Sequence, residues 1–170
     1  MSTHLNALKN AAREHIETRM ENNIADQQAF RAWRDQLRTL IGAITTWVHP
    51  LHDLDHFSVK ESQFNYSSTD SSNRKVEQKG SGLKLTFADT ELLIGPVSFS
   101  VSGEPGVPPV STGLVTMIGF GMKETCQIHY LNGVFATVTY GEQEGPFGEI
   151  SFMSLLASII PELKPMAKQD

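Results

Sequence analysis

The chain predicts an α+β fold in which helices at both ends pack on one face of a mainly antiparallel sheet of six or seven strands. Three observations predict it. Apolar residues in the first fifty positions recur at helical steps of three and four, and those between Phe57 and Tyr140 alternate with polar ones. No helical pattern separates one strand pattern from the next, which argues against parallel βαβ units. The length of 170 residues is that of one domain, 1–170.

Leu5, Leu8, Ala12, Ile16 and Met20 fall on one helical face. Asn22-Asn23 interrupts the pattern, and Asp26 is positioned to cap a second helix bearing Phe30, Trp33, Leu37, Leu40, Ile41, Ile44 and Val48. The expectation over 1–49 is therefore an antiparallel helical hairpin with both stripes buried. Pro50 lacks the donor that a helix needs and ends it near His49.

Phe57, Val59, Phe64 and Tyr66 open the sheet region, 57–140. Ser67 to Gly82 (SSTDSSNRKVEQKGSG) has Val76 as its only aliphatic residue and reads as a mobile loop or long turn, 67–82. Leu83, Leu85 and Phe87 then alternate with Lys84 and Thr86. Gly95-Pro96 is expected to break the next strand before Val97, Phe99 and Val101, and the prolines of Gly103 to Pro109 exclude a ladder there. The uncharged run from Gly113 to Phe120 suits a central strand. Asn132-Gly133 between two apolar runs predicts a type I′ hairpin that sets Tyr130 opposite Phe135 and Leu131 opposite Val134. Glu142 to Gly148 reads as a loop. The segment 149–163 forms a C-terminal helix, apolar nearly all round, which calls for burial between sheet and hairpin.

Charge narrows the partners. The chain carries 14 basic and 19 acidic residues, a net charge of −5. Lys84 and Lys123 are the only basic side chains in 81–160, too few to displace counterions from a phosphodiester, so no nucleic-acid binding is expected. Met1 to Asn10 has no apolar signal core, and the apolar run from Ile150 to Ile160 is short for a bilayer. Cys126, the single cysteine, suits a reducing compartment. Together these predict a cytoplasmic protein with no membrane association.

Catalytic signatures are missing: the sequence contains no phosphate-binding loop, nucleophile elbow or His-Glu-x-x-His pair, and no cofactor is implied. Cys126 and His129 stand three apart on a strand, hence on opposite faces, and cannot form a nucleophile–base pair. Glu142 and Glu144 lie among glycines, where carboxylates stay hydrated. If residues 50–56 form an α-helical turn, His52 and His56 share a face with His49 one turn earlier, and with Asp53 or Asp55 they form a zinc-like donor set. Phe87, Phe99, Phe120 and Phe135 either fill the core or line an apolar pocket between helices and sheet. Phe152, Leu155 and Ile159 on the C-terminal helix are candidate partner contacts. The leading expectation is a non-enzymatic interaction module, immunity-like or chaperone-like, that binds a protein partner or itself. A small-molecule binding domain comes second, and a metal-dependent enzyme using His49, His52 and His56 comes third.

Overall fold

The computed structural model describes residues 2–103, 107–119, 122 and 124–159. A long helix, α1 (Ser2–Val48), passes through a 3-10 turn at His49–Asp53 into seven strands. These are β1 (Phe57–Thr69), β2 (Lys75–Phe87), β3 (Thr90–Ser102), β4 (Val110–Gly119), β5 (Cys126–Leu131), β6 (Val134–Tyr140) and β7 (Gln143–Pro146), followed by α2 (Glu149–Ile159). All seven strands join one sheet in chain order, each antiparallel to the next, with the uncharged β4 at its centre. The fold is α+β, with helices before and after the sheet. The C-terminal part of the expected final helix, 160–163, lies outside the described residues.

The N-terminal hairpin is replaced by one uninterrupted helix of 47 residues. Asn22-Asn23 does not break it, because asparagine costs a helix interior only about 0.7 kcal/mol against alanine and neither glycine nor proline stands nearby. Asp26, expected as a helix cap, sits inside α1, and its carboxylate accepts hydrogen bonds from the Ser71 backbone N–H (3.3 Å) and hydroxyl (2.8 Å). It thus ties the helix to the tip of the β1–β2 hairpin.

The polar stretch 67–82 is not a loop. Its ends belong to β1 and β2, which pair continuously from Phe57↔Phe87 to Thr69↔Lys75. Main-chain hydrogen bonds need no apolar side chains, so this exposed ladder has no hydrophobic alternation to read. Asp70 closes the turn by accepting from the backbone N–H groups of Ser72 and Arg74, each at 2.9 Å.

The hairpin also exchanges neighbours along its length. Near its base β2 pairs with β3, from Leu83↔Ile94 to Phe87↔Thr90, whereas near its tip β1 pairs in parallel with β3 at Ser67↔Ser98 to Thr69↔Ser100. Phe64 fills the crossing: a Cβ on Gly82 or Gly95 would run into its ring. Gly95-Pro96 leaves β3 unbroken, since a bulge between Pro96 and Ser98 takes up the missing donor. The expected Glu142–Gly148 loop instead contributes the short edge strand β7. The Asn132-Gly133 connection has positive φ at both residues, 44° and 95°, with Tyr130 opposite Phe135 and Leu131 opposite Val134 as the type I′ turn requires.

One sheet face supplies the core. Leu83, Leu85, Leu92, Ile94, Val115, Met117 and Ile128 are buried beneath Leu37, Leu40, Ile41, Ile44 and Val48 of α1. Trp33 is the pivot. It stacks on Phe99 (5.1 Å between centroids, 20° between planes), meets Tyr130 edge-on at 5.0 Å, and donates its indole N–H to the Tyr66 hydroxyl at 3.2 Å. The indole also lies flat on β4, so that a Cβ on Gly113 would collide with it. Gly113→Ala should therefore lower stability by about 1–3 kcal/mol in urea unfolding. Gly145→Ala, which meets open space, should stay within about 0.5 kcal/mol.

Candidate interaction surface

The histidine segment takes a geometry other than the one its spacing suggested. Residues His49–Asp53 form a 3-10 turn with Pro50 in its first positions, and such a turn aligns i with i+3 instead of i+4. His49 and His52 consequently face one another at 5.4 Å between ring centroids, and His52 also meets Phe57 edge-on at 5.3 Å. His56 lies beyond the turn with φ 64°, its carbonyl accepting from the Ala88 N–H at 2.9 Å. Among the described residues, no group of three or more His, Cys, Asp or Glu is placed to hold a metal ion. The convergence expected of His49, His52, His56 and the neighbouring aspartates is not formed.

Cys126 and His129 do not meet either. The cysteine is fully buried among sheet residues, and burial pushes its thiol up to about 11. His129 is half-buried and lies 3.0 Å through its Nε2 from the Thr139 hydroxyl. Burial likewise raises the phenols of Tyr66 and Tyr130, opposed for Tyr66 by the Trp33 hydrogen bond and the Arg34 charge, and for Tyr130 by Ser111 and the Gly133 backbone.

The four phenylalanines divide. Phe99 and Phe135 pack on Trp33, Phe87 packs on Phe57 at 4.9 Å, and Phe120 lies outside the described residues. Phe99 borders a cleft of about 250 Å³ between α1 and the β1–β2 tip that Phe30, Asp26 and Arg74 also line. Of the expected partner contacts on α2, Phe152 is corrected. Phe152 is buried with its ring 5.7 Å from Trp47, so it anchors α2 to the end of α1 instead of facing outward. Leu155 is half-buried, and the Ile159 side chain is outside the described set.

Exposed apolar side chains occur at Ile150 of α2 and at Ile118, Leu131 and Val134 of the sheet, but a continuous row of them lies on α1. From Thr3 to Ile24 the described side chains of α1 are all exposed, and the helix first enters the core at Ala29, Phe30 and Trp33. Twenty-two residues at 1.5 Å each make an arm of about 33 Å. Along it Leu5, Leu8, Ile16, Met20 and Ile24 remain open to solvent, Leu8 at 66%, Ile16 at 57% and Met20 at 60%. The periodicity showed that these residues share a face. That none of the described residues covers it is not evident from periodicity, and the signal available is the absence of any residue that forces a turn between the two stripes.

No family model, curated protein or solved structure matches this chain.

Cys126, Tyr66 and Tyr130 all hold their protons more tightly in the folded chain than in the unfolded one. Each contribution is complete below the unfolded range, which for the thiol is 9.0, and is lost as pH rises through the folded value of about 11. The urea midpoint should hold level from about pH 7 to 8.5 and decline from about pH 9 upward. A thiol-reactive disulfide reagent at about pH 8 should modify Cys126 only after denaturant is added; rapid modification of native protein would contradict its burial.

Proposed function

We propose that this chain is a non-enzymatic, cytoplasmic interaction module that binds a protein partner through the N-terminal arm of α1. The observation that carries this reading is the run of solvent-exposed Leu5, Leu8, Ile16, Met20 and Ile24 on a helix that has left its own core behind. A helix without tertiary packing is marginal in water, and a row of large apolar residues at helical spacing is what a helix presents to a complementary surface. Between Ser2 and Ile24, Lys9, Arg13 and Arg19 balance Glu14, Glu17 and Glu21. A bilayer surface favours a predominantly basic polar face, so this balance supports a protein partner over lipid. Among the described residues no helix is long and apolar enough to cross a membrane. The buried, unpaired Cys126 suits the reducing interior of a cell.

The body should not need the arm, because the core begins at Ala29 and Phe30. Deleting residues 2–22, or making the single change Ile16→Asp, should leave a cooperative thermal transition within about 4 °C of the parent. Either change should abolish any association seen by sedimentation velocity and native mass spectrometry. Association that persists in both variants would place the contact outside the arm and overturn the proposal.

A further inference from the structure

We infer that the occupant of the arm is a second copy of the same arm, packed antiparallel about a two-fold axis near residue 14. The inference rests on the arm being the binding element and adds what it binds. Its basis is the charge row beside the apolar stripe. Leu8, Ala12, Ile16, Met20 and Ile24 advance by four residues a step, and Lys9, Arg13, Glu17 and Glu21 run alongside, one residue on from the first four. The row is segregated, with bases toward the helix N-terminus and acids toward the body.

Within one helix that order is unfavourable. Bases lie toward the positive end of the helix dipole, and Arg13 before Glu17 is the weaker orientation of an i,i+4 pair. Among the described residues the ion pairs run between Asp35 and Arg38 and between Lys84 and Glu91, so the row is not satisfied internally. An antiparallel copy changes this. The partner's acidic half then lies along this chain's basic half, and the two-fold repeats the match on the other side, giving the self-complementary contact that a symmetric dimer requires.

The apolar layers match in the same register. A two-fold near residue 14 sets Ala12 against a second Ile16 at the axis and Leu8 towards a second Met20 on either side, with Leu5 and Ile24 at the diverging ends of the contact. Ala12, the smallest residue of the stripe, lies next to the axis and lets the backbones approach. Ridges at four-residue steps interdigitate at a crossing of about 50°, which accounts for a dimerising helix without heptads. The bodies do not obstruct this geometry. Each begins about 20 Å from the axis and lies at the opposite end, whereas parallel pairing would bring two sheets together at one end and stack like charges.

Sedimentation equilibrium of the full chain from about 1 to 100 μM tests the inference. The expected result is a weight-average mass rising toward twice 18.8 kDa. Lys9→Glu with Arg13→Glu should return it to the single-chain value, because the whole row becomes acidic. Adding Glu17→Lys and Glu21→Lys inverts the row, restores antiparallel complementarity and should restore the dimer. Circular dichroism is measured on each variant, so that loss of helix is not taken for loss of contact. A parent that stays monomeric throughout overturns the inference, as does a dimer lost on Ile16→Asp but indifferent to both charge variants. A dimer indifferent to Ile16→Asp overturns instead the assignment of the arm as the binding element.

Discussion

The fold depends on the seating of Trp33 against the sheet. A single layer of strands has one face to bury, and here one helix segment covers most of it, so the angle and register of that segment decide what is closed and what is left open. The indole fixes both. Its flat contact on β4 at Gly113, its stack on Phe99 and its hydrogen bond to Tyr66 join three separate strands to one helical residue. Because a buried indole N–H left unpaired would cost about 1–3 kcal/mol, the Tyr66 hydroxyl specifies position as well as adding contact. Tyr130 and Phe135 close the other side of the ring.

From that anchor the asymmetry of α1 follows. Its C-terminal half runs across the sheet to the end of the apolar face, where Trp47 receives Phe147 and Phe152 and so fastens α2. Among the described residues its N-terminal half has no strand beneath it, because the sheet ends at the β1–β2 tip. Asp26 marks the boundary by holding Ser71 of that tip. Beyond it the helix continues only because no residue stops it, carrying its apolar stripe into solvent.

The sequence revealed the elements wherever burial imposes a period. Leu83, Leu85 and Phe87 and the Trp33 to Val48 stripe are legible because each has one wet and one dry face, and the Asn132-Gly133 turn because its positive φ angles demand those residues. The β1–β2 tip was illegible because main-chain pairing between polar strands leaves no side-chain trace. Pro96 misled because a bulge accommodates what a regular ladder cannot. For the site the lesson differs. The stripe from Leu5 to Met20 was visible, but amphipathicity reports that a face is apolar and not whether the chain itself covers it. The histidines misled for a geometrical reason: Pro50 lies in a turn with three residues per repeat, which pairs His49 with His52 and excludes His56.

The exchange of neighbours in the β1–β2 hairpin bears on what the edges of the sheet present to other chains. A strand with one long unpaired side is a template for fibril growth, and proteins generally avoid leaving such a template intact. Here the outermost position passes from β1 near the hairpin base to β2 near its tip, so neither strand offers its whole length to a stranger, and at the far side β7 is only four residues long. The two sides of the sheet are thereby kept from recruiting foreign strands, and the main-chain groups left open along each edge come in short, separate stretches.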